Sequence, residues 1–145
     1  MTDIPYRSGD FVWCAFPQRE NPARPGPMHL TYVLATTGRA SVLAAYKTSR
    51  LSTETAAPAR GRFKFSRDQA LELGQQRAFE LNLQRLAFVP MTAVWFPGLN
   101  QPDKGIQSHA PKRLQQQIWQ AAEVILTRHD ELVERLGPLW PTTRH

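Results

Sequence analysis

The stretch "HLTYVLATTGRASVLAAY", His29–Tyr46, decides the fold class. Two apolar runs rich in β-branched and aromatic residues, near Leu30–Thr36 and Ser41–Tyr46, flank the turn signal Gly38-Arg39. That arrangement predicts a β-hairpin. Upstream, "GDFVWCAF", Gly9–Phe16, has the same residue types and ends at Pro17, so it reads as another strand. Between them "PQRENPARPGP", Pro17–Pro27, is crowded with turn formers and predicts a long exposed loop. Downstream, residues 50 to 61 form a second loop and "GRFKF" a short strand. "SRDQALELG", Ser66–Gly74, predicts one short helix, with Ser66 as its cap, Asp68 at the positive dipole end and Gly74 at its stop. In "RAFELNLQRLAFVP", Arg77–Pro90, Phe79, Leu81 and Leu83 alternate with Ala78, Glu80 and Asn82, the period of a strand. "MTAVWFPGL" follows and is expected to pack against the sheet.

Past a Pro/Gly break at 97–105 the pattern changes. Leu114, Ile118, Ala122, Ile125, His129, Leu132 and Leu136 recur every three or four residues, which predicts one amphipathic helix from Pro111 to Leu136, stopped by Gly137-Pro138. The layout is a single domain over 1–145. It comprises a strand-rich core over 8–97, with one short inserted helix, and a C-terminal amphipathic helix within 108–137. Five or six short, regularly punctuated strands suggest a mainly β chain curled into a small barrel, with the helices packed on it.

The 145 residues suffice for one domain with a core. No apolar run approaches the ~18 residues of a membrane span, and the N-terminal "MTDIPYRSGD" has no apolar signal core, so a cytoplasmic location is expected. The single cysteine, Cys14, sits in an apolar stretch and reads as a small core residue. The net charge is +6, and all of it is local. Residues 39–67 hold Arg39, Lys47, Arg50, Arg60, Arg62, Lys64 and Arg67 against the one acid Glu54, while the rest of the chain is neutral. A concentrated excess of this kind suits a polyanion, since each phosphate neutralised releases counterions. A solvated basic loop, or an acidic protein partner, would use the same composition.

No zinc spacing, no phosphate-binding glycine loop and no nucleophile elbow is present. The acids are isolated apart from Asp130-Glu131, so neither a metal site of paired carboxylates nor a cofactor is indicated. Arginines, hydroxyls and a histidine remain, and RNA is a substrate for that set. Its 2′-hydroxyl attacks the adjacent phosphate itself, and the protein has to orient the strand, move a proton and stabilise phosphorane charge. Thr48 and Ser49, between Lys47 and Arg50 at a strand end, are the candidates for contact with the phosphate, or else cap the strand's own backbone.

"SGDFVWCAFP", the loop "NPARPGP", "HLTYVL", "VLAAYKTSR", a helix ending at Gly74 and "FELNLQRLAFVPMTAVWF" follow the segment order of PemK/MazF-like toxins of bacterial toxin–antitoxin modules. The resemblance covers about residues 8–97. Its strongest piece, "AAYKTSR", resembles the Y-G-T-S strand end of one branch, and "FVPMTAVWF" resembles the closing segment. The resemblance implies a small SH3-like barrel that forms homodimers and a metal-independent endoribonuclease that cuts single-stranded RNA to a 2′,3′-cyclic phosphate. In the family an Arg-Pro opens the second strand and its arginine is catalytic. Here that place is His29-Leu30 or Leu30-Thr31, depending on a one-residue register, and in the register that keeps "VL" aligned His29 replaces the arginine. A histidine transfers protons but gives no permanent bidentate grip on phosphate. Arg24, on the preceding loop, is the candidate to supply that charge.

The resulting expectation assigns Thr48, Ser49, His29 and Arg24 to catalysis and Arg19, Lys47, Arg50, Arg60, Arg62 and Lys64 to RNA binding. Trp13 and Trp95 are assigned to the core, and Trp119, beside the helix stripe, to a partner contact. Two other classes use the same chain. One is a non-catalytic relative that binds RNA or an acidic antitoxin. The other is a CcdB-type gyrase poison, which would act through the C-terminal helix.

Overall fold

A computed structural model describes residues 4–37, 40–50 and 61–141. The chain is mainly β, with strands β1 (Asp10–Ala15), β2 (Met28–Thr37), β3 (Ser41–Thr48), β4 (Arg62–Phe65), β5 (Phe79–Pro90), β6 (Ile106–His109) and β7 (Glu134–Leu136). Two helices join them, α1 (Arg67–Glu72) and α2 (Lys112–Arg128). One sheet runs in the order β4-β5-β3-β2-β1-β6, antiparallel throughout, and its pairing path is not closed. β7 joins it in parallel to β5, along 85–87, beyond the four residues that β4 covers. No helix among the described residues is long and apolar enough to cross a membrane.

The hairpin forms as its sequence predicts, with Thr31 opposite Tyr46 and Thr37 opposite Ser41. Its turn at Gly38-Arg39 lies outside the described residues, as does the loop over 51–60. α1 is capped by a complete capping box. The Gln69 amide donates to Ser66 Oγ at 3.2 Å, and the Ser66 amide donates to Gln69 Oε1 at 2.8 Å.

Both faces of the sheet are buried. On one, Phe11, Leu30, Tyr32, Phe65, Phe79, Leu81, Leu83 and Leu86 pack against Ile118, Ala122 and Ile125 of α2. Phe65 stacks on Phe79 with centroids 4.3 Å apart. On the other, Val12, Cys14, Phe16, Val33, Val42, Ala44, Ala87 and Val89 pack against Tyr6, Met91, Trp95 and Phe96. Cys14 is fully buried there, and burial pushes its thiol pKa up to about 12, which suits a packing residue.

Three expectations are corrected. The C-terminal helix stops at Arg128, a single 3-10 turn spans Asp130–Leu132, and the remaining residues form β7. The spacing of Leu132 and Leu136 mimicked a helix. The backbone of β5 beyond β4 needed partners, and a strand supplies them. Gly137 then adopts a φ of +95°, where a Cβ would lie 2.4 Å from the Phe88 carbonyl oxygen. Leu132 is consequently 44% exposed. Secondly, residues just past the Pro/Gly break, including 108 and 109 of the expected helical segment, form strand β6, which pairs with β1. Thirdly, Trp13 is not core. It is 42% exposed, because the helical layer that covers Phe11 does not extend to the far end of β1. Trp95 is buried as expected, and Trp119 is 40% exposed on α2.

Candidate functional site

β5 changes face part-way along. Its partners on β3 jump from Asn82 opposite Tyr46 to Leu86 opposite Ala45, a bulge in the ladder. Before the bulge, Phe79, Leu81 and Leu83 face α2; after it, Leu86 does. Three residues, 83–85, lie between those two pairs, and this odd insertion puts Arg85 on the face of Asn82, the face on which β3 presents Tyr46 and Thr48. Two adjoining cavities open there and share Tyr46 and Arg85. The larger, about 350 Å³, is lined by Arg19, Thr48, Arg50, Arg62 and Asn82 besides the shared pair. The smaller, about 140 Å³, is lined by His29 and Met28 of β2 and by Phe16, Pro17, Gln18 and Pro27.

Arg85 is central to both. Its guanidinium carbon lies 4.1 Å from the Tyr46 ring centroid and 5.9 Å from that of Phe16. From the strand on the other side of β3, His29 stacks on Tyr46 at 4.6 Å and 7°. Strands β2, β3 and β5 thus contribute an imidazole, a phenol and a guanidinium to one stack. Among the described residues the buried Arg85 Nε has no hydrogen-bond partner, a place that an anion's acceptor oxygen would fill.

The His29 ring is held by Nε2 against the Lys47 carbonyl oxygen. A carbonyl only accepts, so Nε2 carries the hydrogen. Burial above all, opposed by that bond and reinforced by Lys47 and Arg85, lowers the His29 pKa below the usual 6.5. The ring is therefore neutral at pH 7, and Nδ1 is its acceptor.

The arginines of the larger cavity are only partly compensated. Arg19 makes a two-pronged pair with Glu134 of β7, both bonds at 2.6 Å, and this bond holds the Glu134 carboxyl below the usual carboxylate range. Arg62 lies 3.7 Å from the fully buried Glu80. Among the described residues, Arg50 and Arg85 have no carboxylate within ion-pair distance. Thr48 Oγ1 accepts the Arg50 amide at 3.1 Å, which ends the strand and fixes the hydroxyl among the guanidiniums. The proline-rich loop that carries Arg19 is exposed as expected, but it is braced. Gly26 approaches the Phe16 carbonyl so closely that a Cβ would sit 2.2 Å from it, and the Gly137 amide donates to the Pro22 carbonyl at 2.7 Å.

Of the residues expected from sequence, Thr48, His29, Arg19, Arg50 and Arg62 come together here. Ser49 and Lys47 do not. Strand alternation turns them to the opposite face, where Lys47 Nζ lies 4.8 Å from the Phe79 ring centroid. The two hydroxyls therefore do not form one site. Arg24 is exposed and lines neither cavity, so it does not supply the missing charge; Lys64, exposed on β4, lines neither as well. Arg60 lies outside the described residues. Sequence reading missed Arg85, Tyr46 and Glu134. The signal for Arg85 was present: an arginine continuing the apolar parity of Phe79, Leu81 and Leu83, immediately before the apolar positions change parity at Leu86. The chain matches no family model, and no functionally characterised protein is significantly similar to it.

Proposed function

We propose that this chain is a PemK/MazF-like, metal-independent endoribonuclease that binds single-stranded RNA along the arginine-lined groove. The carrying observation is the stack of His29, Tyr46 and Arg85, which brings a base and a guanidinium to one cavity and the same guanidinium and the Thr48 hydroxyl to the cavity adjoining it. Arg85, from β5, takes the place of the arginine that the family resemblance leads one to expect at position 29. His29 then takes the 2′-hydroxyl proton on Nδ1, and the 2′-oxygen forms the new bond to phosphorus. Arg85, Arg50 and Thr48 donate to the phosphorane oxygens, and the bond to the 5′-oxygen breaks, with that oxygen protonated from solvent. The product is a 2′,3′-cyclic phosphate.

The finer fold assignment belongs to the same proposal. The two-faced sheet with its bulged central strands is read as an SH3-like barrel with an open seam, and the protein as a homodimer. An acidic antitoxin segment would compete for the groove, as Glu134 already does for Arg19.

The test is incubation of purified protein with single-stranded RNA in EDTA. Nicking with cyclic-phosphate ends, lost in Thr48→Ala and Arg85→Gln and retained in Ser49→Ala, supports the proposal. Intact RNA at high protein concentration refutes cleavage. A second reading, binding without cleavage, is favoured by the tethering of His29 to Lys47, which fixes the ring and limits its reach. It predicts salt-sensitive RNA binding and no product.

A further inference from the structure

Across the sheet from the groove lies a second cleft of about 500 Å³, formed where β1, β3, β6 and the end of α1 meet. Its wall is Trp13, the one exposed residue of an otherwise buried β1. Its floor includes Gln75, only 7% exposed, whose Oε1 has no hydrogen-bond partner among the described residues. Neighbouring bonds fix which way that amide points. Gln107 Nε2 donates to the Leu73 carbonyl at 2.7 Å, and Gln107 Oε1 accepts from the Ser108 hydroxyl at 2.5 Å. The acceptor that Gln107 offers to Gln75 is therefore an oxygen, and Gln75 must meet it with Nε2, at a long 3.4 Å. Among the described residues Gln75 Oε1 is left as a buried acceptor in need of a donor. Lys47, Ser49 and Arg77 also line the cleft, and among the described residues no carboxylate does.

A flat aromatic face, an acceptor seeking an N–H and two cations fit a planar, amine-bearing ring joined to an anion. We propose that this cleft binds a nucleotide, its base stacked on Trp13, its exocyclic amine donating to Gln75, and its phosphate met by Lys47 and Arg77. The proposal rests on this face alone and stands whether or not the arginine groove cleaves RNA. If both hold, the adjacent Thr48 and Ser49 place one nucleotide on each side of the end of β3.

The test is calorimetric titration of the full chain with AMP, N6,N6-dimethyl-AMP and ribose 5-phosphate. AMP should bind, and dimethyl-AMP, which has no amine hydrogen, and ribose 5-phosphate should each bind at least tenfold more weakly. Trp13→Leu should weaken AMP by roughly five- to 150-fold, the effect of losing one base–aromatic stack. Because Trp13 is exposed, that variant keeps the core intact. Gln75→Met should abolish the preference for AMP over dimethyl-AMP. Arg85→Gln should leave AMP affinity unchanged, which separates this cleft from the groove. Failure of AMP to bind at millimolar concentration overturns the proposal. So does equal binding of ribose 5-phosphate, full affinity in Trp13→Leu, or loss of AMP binding in Arg85→Gln.

Discussion

The groove's charge can be counted by salt. Of the four arginines that line it among the described residues, Arg19 and Arg62 already face Glu134 and Glu80, which leaves Arg50 and Arg85 to neutralise phosphates. Each phosphate neutralised on a single strand adds about −0.7 to the slope of log K against log salt, so these two contribute about −1.4. Arg85→Gln should make the slope shallower by about 0.7. Between 50 and 200 mM salt that is a loss of roughly two- to threefold in salt sensitivity. Glu134→Gln releases Arg19 and should steepen the slope by a similar amount. Arg85→Lys keeps the charge and should keep the slope, although it loses the planar stack on Tyr46. The assay is fluorescence anisotropy of a labelled 2′-O-methyl oligoribonucleotide, which cannot be cleaved, at several salt concentrations. Cations elsewhere contribute equally to every variant, so only the differences matter. If Arg85→Gln, folded by circular dichroism, has the wild-type slope, Arg85 meets no phosphate and the groove assignment is wrong.

The lowered His29 pKa gives a pH dependence with a definite sign. The unfolded chain, with histidine at its ordinary 6.5, binds more protons than the folded one, so stability should fall as pH drops from 6.5 towards the folded value. His29→Asn should remove that part of the slope in urea melts at stepped pH. The same lowered pKa should put the acid limb of any cleavage profile below 6.5. Glu134→Gln should cost less than about 1 kcal/mol in urea unfolding, since its pair with Arg19 is largely exposed. Gly137→Ala should cost more than that, because its Cβ collides with the Phe88 carbonyl and its φ is unsuited to alanine. Loss of amide exchange protection should then concentrate in β7 and the Pro22 loop. Phe65→Ala, which empties the stack on Phe79, should cost about 3–5 kcal/mol by thermal or urea unfolding.

Much of the architecture is local in origin and legible in the residues. The hairpin follows from two apolar runs around a turn signal, α1 from the Ser66–Gln69 reciprocal cap, and the buried stripe of α2 from Ile118, Ala122 and Ile125. The extent of that last helix was not legible. Leu132 and Leu136 fit a helical period, and only the unpaired stretch of β5, set by the length of β4, made a strand the better use of residues 134–136.

The site divides along the same line. That residues 39–67 carry the whole charge excess is fixed by composition, and so is the placing of Thr48 at a strand end beside Arg50. Which side chains share a cleft is not, because the period of a strand is two and a single bulge reverses every residue after it. The bulge between β3 and β5 brings Arg85 into the groove, and ordinary alternation sends Ser49 and Lys47 to the other face. The sequence determined which chemical groups were available; the register of three strands decided which of them meet.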